Sequence, residues 1–172
     1  MKKTKNLTLS AIFASLICVS TFFIQIPIPA THGYIHLGDA LVILCAVFLN
    51  PTSAFLAAGI GSSLSDLIGG YFIYIPATFF IKGLIAYVAS QFFKKYKSQQ
   101  NISLFPIIFC GVIDLVFVIL GYAIFESILY GWKAALLAVP ANTIQGLSGL
   151  ILATLFYRVL STIPEVKKLW TA

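Results

Sequence analysis

The chain is predicted to be an all-α integral membrane protein, a bundle of six transmembrane helices forming one domain over residues 1–172. Both termini are expected in the cytoplasm, and the location is the cell membrane. Three observations predict this. Of the 172 residues, 60% are hydrophobic and only 9% charged, whereas soluble domains carry about 25% charged residues. Nine of the eleven Lys and Arg residues fall in four places, Lys2/Lys3/Lys5, Lys94/Lys95/Lys97, Arg158 and Lys167/Lys168, with long apolar stretches between them. A bilayer core about 30 Å thick takes roughly 20 apolar residues per crossing helix, and basic clusters mark the cytoplasmic ends of such helices. Finally, Pro, Gly and Asn punctuate the apolar sequence into six segments.

Helix 1 is expected over 7–26, ended by Pro27 and Pro29, which lack an amide donor and clash with the preceding turn. A loop over 27–38, rich in Pro, Gly, His and Tyr, follows. Helix 2, over 39–49, is too short to cross alone and requires tilt or shelter from neighbouring protein. Asp39 is placed to cap its start. Asn50-Pro51-Thr52 turns the chain into helix 3 over 53–69. A loop over 70–75 leads to helix 4 over 76–96, whose proline is acceptable in the first turn. The tract 94–101 is a polar connector. Helix 5 is expected over 103–127, a loop over 129–133 with room for a short helix after it, and helix 6 over 140–162 before a basic tail. Alternating sides places all three lysine clusters in the cytoplasm. The outer loops then contain one basic residue, Lys133. No internal repeat is evident, which disfavours a transporter built from inverted halves.

The formal charge of +6 raises the question of nucleic acid. The basic residues flank apolar segments, so topology and contact with anionic lipid account for them, and no nucleic-acid partner is expected. Cys18, Cys45 and Cys110 are an odd, scattered set inside apolar runs and give neither a disulfide framework nor metal spacing. The first segment resembles a signal peptide superficially, but it lacks an Ala-x-Ala cleavage pattern and further spans follow. It reads as a retained helix.

Catalytic signatures are absent: no GxxxxGK[ST], HExxH, CxxC or GxSxG occurs. The two histidines, His32 and His36, fall in the first outer loop. No catalytic residue, cofactor or metal is therefore expected. Asp114 and Glu126 are the carboxylates an intramembrane hydrolase would need, but they lie three turns apart on one helix, about 18 Å by helix rise, too far for paired-carboxylate chemistry.

The polar residues at membrane depth are more informative, because burying a charge there is expensive and such groups usually face a protein interior. They are Asp66, Lys82, Asp114 and Glu126. Lys82 and Asp66 are placed to form an ion pair, either structural or lining a cavity. Asp114, Val118, Tyr122 and Glu126 share one i+4 row of helix 5, and Asn142, Gln145, Gly146 and Gly149 share one inward face of helix 6. The outer loops add Tyr34, His36, Tyr71, Tyr74, Tyr130 and Trp132, either an interfacial aromatic belt or a lid over a ligand. Together these predict a polar, aromatic-lined cavity in the outer half of the bundle. Flat ligands stack on Tyr and Trp there, while amides and carboxylates bond ring nitrogens and hydroxyls. Small residues form ridges as well. Ser10, Ala14 and Cys18 on helix 1 suit either internal packing or a partner surface. Ala57, Gly61, Ser65 and Gly69, with Ala54, Ala58 and Ser62 beside them, suit packing inside the bundle.

Three stretches, THGYIHLGDALVILCAVFLNP, AAGIGSSLSDLIGGYFIYIPATFFIKG and VPANTIQGLSG, resemble the substrate-binding S component of an energy-coupling factor (ECF) transporter. The likeness covers almost the whole chain and is greatest for members assigned to hydroxymethylpyrimidine or pyridoxine-type vitamins. It implies a protein that binds a vitamin from outside, docks through helix 1 on a transmembrane coupling subunit joined to two ATPase subunits, and topples in the membrane to release its cargo. The family's Ala-xxx-Ala motif reads Ser10-xxx-Ala14-xxx-Cys18 here, still small throughout.

The expected function is thus a substrate-binding subunit without catalytic activity, for a small hydroxylated pyrimidine or pyridine. Alternatives are a self-sufficient carrier or an S component for another vitamin such as riboflavin. Tyr34, His36, Tyr74, Lys82, Glu126, Asn142 and Gln145 are the expected pocket residues, with Lys82 either touching ligand or paired with Asp66. Ser10, Ala14 and Cys18 are the expected docking surface.

Overall fold

A computed structural model describes residues 2–97 and 103–166. The connector 94–101 is therefore described only as far as Lys97, and Lys167 and Lys168 lie outside the described residues. Element order is α1 (Lys2–Phe23), β1 (Gln25–Ile28), β2 (Gly33–His36), α2 (Asp39–Phe48), α3 (Pro51–Gly69), α4 (Ile75–Tyr96), α5 (Phe105–Tyr130) and α6 (Trp132–Leu160), with a 3₁₀ turn at Phe72–Tyr74. The fold is mostly helical. Among the described residues, four helical stretches are long and apolar enough to cross a membrane: α1, α4 with its preceding turn, α5 and α6.

Around a largely apolar core, the surface is apolar too, and charged side chains are found inside. Ile12, Leu16 and Val19 on α1, Leu56, Ile60 and Leu64 on α3, Val116, Leu120 and Ile124 on α5, and Ile144, Ile151 and Leu155 on α6 are exposed. Asp39, Lys82, Asp114, Glu126, Asn142 and Gln145 are buried. Water disfavours so apolar a surface, whereas lipid favours it.

The short α2 is the hub. Its residues from Val42 to Val47 are all buried, as are Asp39 and Ala40, and it packs against each of the other five helices. This is the shelter that a ten-residue helix needs at membrane depth. Asn50 starts α3 by accepting a hydrogen bond from Ser53 N at 2.9 Å, and Pro51 fills the first turn, where an amide is dispensable. The inward face of α3 is the small-residue face: Ala54, Ala57, Ala58, Gly61, Ser62 and Ser65 are buried. At Gly61 a Cβ would stand 2.5 Å from the Ala14 carbonyl oxygen, so α1 and α3 approach backbone to backbone.

Three boundaries differ from expectation, each for a local reason. α1 ends at Phe23, not near Ile26, because Pro27 forces the residue before it into extended backbone and the chain enters β1. The expected loop 27–38, together with the last residues expected in helix 1, forms an antiparallel hairpin pairing Gln25 with His36 and Ile28 with Gly33. Thr31 N bonds Ile28 O at 3.3 Å, and His32 takes a left-handed φ of 52° at the tip. The hairpin is the one departure from an all-helical architecture among the described residues. Finally, α5 and α6 meet at a single residue, Gly131, whose φ of 84° is a conformation that glycine adopts without a Cβ penalty. α6 then runs through Pro140 without a break, as helices inside membrane bundles tolerate.

Candidate ligand-binding site

Four elements converge at the hairpin end of the bundle. β2 carries Tyr34 and His36. The 3₁₀ turn and α4 carry Tyr74 and Thr78. The row Asp114, Val118, Tyr122 and Glu126 on α5 is buried along its length. On α6 the face Asn142, Gln145, Gly146 and Gly149 is likewise buried. Between them lies a hollow of about 20 Å³ lined by Ile28, Gly33, Tyr34, His36, Asp66, Tyr74, Thr78, Tyr122, Glu126, Asn142 and Gln145. In this conformation its walls close on one another, leaving room for little more than a water molecule.

Hydrogen bonds tie the walls together. The Tyr74 hydroxyl lies 2.7 Å from Thr31 O in the hairpin and 3.2 Å from Glu126 Oε1 on α5. The Tyr34 hydroxyl donates to Asp66 Oδ1 at 2.6 Å, and Thr78 and Tyr122 share a hydroxyl contact at 3.2 Å. The Tyr34 ring packs 4.3 Å from Tyr71 and 5.6 Å from His36 between centroids.

Beneath the hollow runs a buried chain of polar contacts. The Lys82 ammonium is paired with Asp39 Oδ1, both side chains fully buried. Gln145 Nε2 donates to Asp39 Oδ2 at 2.8 Å, and Gln145 Oε1 accepts from the His36 amide at 3.1 Å. The ion pair on α2 and α4 therefore orients Gln145 on α6 and, through it, the hairpin strand above. Gly149 permits this closeness, since a Cβ there would stand 2.8 Å from Asp39 Cβ and 3.4 Å from Asp114 Oδ2. Two expectations are corrected here. Lys82 pairs with Asp39, not Asp66, because Asp66 faces the hollow and Tyr34. Asp39 does not cap α2, because its carboxylate is engaged by Lys82 and Gln145 and no side-chain cap forms at that end.

All the expected pocket residues line the hollow except Lys82, which lies in the layer below. Thr78, Tyr122, Ile28 and Gly33 line the hollow in addition to the expected residues, and Asp66 lines it bonded to Tyr34. Tyr122 was legible on the α5 row, and Thr78 stands four residues from both Tyr74 and Lys82. His32 is exposed at the hairpin tip, with its ring 6.1 Å from that of Tyr130.

His36 accepts a hydrogen bond at Nδ1 from the Gly38 amide, 3.0 Å away, so this nitrogen carries no proton. Burial pushes the imidazole down from 6.5 to about 4, with Asp39 opposing the shift and Lys82 adding to it. The sign follows directly. Between pH 6.5 and 4 the unfolded chain binds a proton that the folded chain refuses, so His36 lowers stability progressively as pH falls through that window, by up to about 3 kcal/mol. His36→Asn, whose amide oxygen can accept from Gly38, is expected to flatten this part of the profile. Melting temperature against pH for the two proteins in detergent checks it, and parallel profiles would contradict it.

A groove between α1 and α3 is a further concavity. It is lined by Asn6, Leu7, Ser10, Ala11 and Ala14 on one side and Asn50, Ser53, Leu56, Ala57 and Ile60 on the other, with a volume of about 530 Å³. Ser10, Ala14 and Cys18 are all half-buried. Their ridge is thus shared between packing on α3 and, for Ser10 and Ala14, an open apolar groove.

Comparison with known proteins follows the same lines. The sequence profile of the family described as "ECF-type riboflavin transporter, S component" matches residues 1–162. A protein of Lactococcus lactis subsp. cremoris (strain MG1363) named thiamine precursor transporter HmpT is 31% identical over 165 residues, 95% of this chain and 90% of that one. An uncharacterised protein of Pyrococcus woesei is 32% identical over 136 residues, 79% and 88% of the two chains. Among solved structures, the S component for biotin from an ECF-type ABC transporter superposes with a TM-score of 0.70 at 20% identity, covering 99% of this chain and 93% of that one. The S component of a bacterial ECF transporter gives 0.68 at 21% identity, with 93% and 97% covered.

Proposed function

Because this chain belongs to the S components of energy-coupling factor transporters, we propose that its hairpin-end hollow binds a single-ring vitamin precursor of the hydroxymethylpyrimidine or pyridoxine type. As an S component it is the membrane-embedded substrate-binding subunit of an ATP-driven importer and works with a transmembrane coupling subunit and two ATPases. The observation that carries the ligand class is the hollow itself. It is walled by tyrosines, carboxylates and amides brought together from the hairpin and four helices. Such walls suit a small aromatic ring bearing hydrogen-bonding substituents. The name of the Lactococcus relative, a thiamine precursor transporter, agrees. Tyr34, His36, Tyr74, Glu126, Asn142 and Gln145 line the ligand in this reading, and Lys82 supports them from below.

The reading extends to topology. Six crossings with both termini cytoplasmic are supported by the basic residues that close α4 (Lys94, Lys95) and α6 (Arg158). These ends meet where Phe93 packs on Tyr157 at 5.7 Å. α3, with 19 residues, spans about 28 Å by helix rise. The chain is one transmembrane domain, and we assign it no chemical step of its own, since the energy comes from the ATPases.

The α1–α3 groove is the proposed docking surface, with Ser10 and Ala14 on its wall and Cys18 one turn further. Close backbone approach across small residues is how helices associate in lipid. Ala14→Leu, and Ala11→Leu at an exposed position of the same wall, are expected to abolish uptake in vesicles containing the coupling subunit and ATPases. Ligand binding by the isolated chain should change less than about twofold. Normal uptake by both variants would refute the docking assignment. Uptake by the chain alone would instead make it a self-sufficient carrier. Mass spectrometry of whatever small molecule co-purifies tests the ligand class, and a flavin would overturn it.

A further inference from the structure

Asp114 takes no part in the hollow. It is fully buried on α5, and neither of its oxygens accepts a hydrogen bond from a described residue. It adjoins the Asp39–Lys82 pair. A Cβ at Gly149 of α6 would stand 2.8 Å from Asp39 Cβ and 3.4 Å from Asp114 Oδ2, so the two carboxyl side chains flank one spot. The Lys82 ammonium is 5.6 Å from the centroid of the Tyr122 ring, and Tyr122 shares the buried row of α5 with Asp114. Lys82 thus faces the row that carries Asp114, and its charge acts on both carboxyls. One ammonium cannot neutralise two carboxylates. At membrane depth an unpaired carboxylate is costly, and such a group takes up a proton instead. The helices meet too closely at Gly149 to admit even a methyl group without a shift. A metal ion between the carboxyls is therefore disfavoured, and a proton, which needs no room, completes the cluster.

We propose that Asp39 and Asp114 are alternative seats for Lys82. In the described arrangement the ammonium lies on Asp39 and the proton on Asp114. In the other, the flexible four-carbon stem of Lys82 swings the ammonium to Asp114, and the proton passes from Asp114 to Asp39. Both arrangements hold one ammonium, one proton and two carboxyls, so the net charge is unchanged and nothing is exchanged with solvent. What changes is the grip on the hollow. As a carboxylate, Asp39 accepts a charge-assisted hydrogen bond from Gln145, which in turn holds the His36 amide. As a neutral acid it is a weaker acceptor, and the hairpin strand loosens. An importer must release what it binds and therefore needs two states of unequal affinity. The exchange provides them, whichever ring the hollow takes.

The test is a double-mutant cycle on Asp39→Asn and Asp114→Asn, with the full chain in lipid nanodiscs and no ligand added. Each single variant leaves Lys82 one carboxylate, so each is expected to lower the melting temperature by less than about 5 °C. Together they leave a buried ammonium without a partner, and a fall of about 10 °C or more is expected. Infrared difference spectra give a second reading that does not need the double variant to fold. Subtracting Asp114→Asn from the unsubstituted protein is expected to show the carbonyl stretch of one protonated carboxyl, the other carboxyls cancelling. Subtracting Asp39→Asn is expected to show the same stretch, because Lys82 then sits on an ionised Asp114. Hydrogen–deuterium exchange of the His36 amide is expected to be about 10-fold faster in Asp39→Asn, the factor for one weakened charge-assisted hydrogen bond, and unchanged in Asp114→Asn. If Lys82 has no second seat, Asp39→Asn alone melts as low as the double variant and keeps the acid stretch. Either result, or exchange of the His36 amide at the unsubstituted rate in Asp39→Asn, would overturn the proposal.

Discussion

Lys82→Met is expected to cost about 3–5 kcal/mol and to abolish ligand binding. The substitution removes a fully buried ammonium and leaves Asp39, itself fully buried, as an uncompensated charge, a change of that size in buried pairs. The loss does not stay local. Asp39 also holds Gln145, and Gln145 holds the His36 amide, so freeing Asp39 loosens one wall of the hollow and the strand above it. The double variant Asp39→Asn with Lys82→Met removes both charges. It is expected to recover most of the stability, since replacing both members of a buried pair is often near neutral, and part of the affinity, because an asparagine oxygen still accepts from Gln145. Melting by fluorescence-detected size exclusion gives the first quantity and calorimetry the second. A double variant no more stable than Lys82→Met alone would mean that the pair does not act as a unit.

Gly61→Leu is expected to separate transport from binding. A Cβ at this position would stand 2.5 Å from the Ala14 carbonyl oxygen and 3.0 Å from its Cα. Both obstacles are backbone, so no rotamer change relieves them and α1 must move off α3. Overpacking of this kind costs about 1–3 kcal/mol, occasionally more. It also reshapes the groove that the two helices form. Uptake through the coupling subunit is expected to fall to background, with the ligand dissociation constant changing less than about threefold, because α1 supplies no residue to the hollow. Ala14→Gly is not expected to rescue it, since the clash is with main chain. Rescue by that substitution, or a binding loss as large as the transport loss, would show that the helix contact does something else.

The parts of this fold legible in the sequence were those set by local pattern. Four-residue rows on α5 and α6 placed Glu126, Tyr122, Asn142 and Gln145 inward because an α-helix repeats every 3.6 residues and lipid penalises polar groups on the other face. The shelter of α2 followed from its length alone. What was not legible depended on partners distant in sequence. Asp39 and Lys82 are 43 residues apart, and the start of α2 offered Asp39 a plausible capping role that gave no hint of a neighbour on α4. The hairpin was hidden because two four-residue strands, one interrupted by Pro27, carry no alternation strong enough to read. They are held by tertiary contacts such as Tyr74 on Thr31. Pro140 pointed to a helix start because proline usually does so in water.

Gly131 has a consequence for how such a protein changes its cargo. One residue joins α5 to α6, so the side of the cavity carrying Glu126 and Asn142 has its spacing fixed by covalent connection. The opposite side is a two-stranded ribbon of a kind that is marginal on its own, held by a few phenolic hydroxyls. New specificities should therefore arise first by exchange of residues on the pliant ribbon, with the rigid helical pair retained as a ruler for ring width.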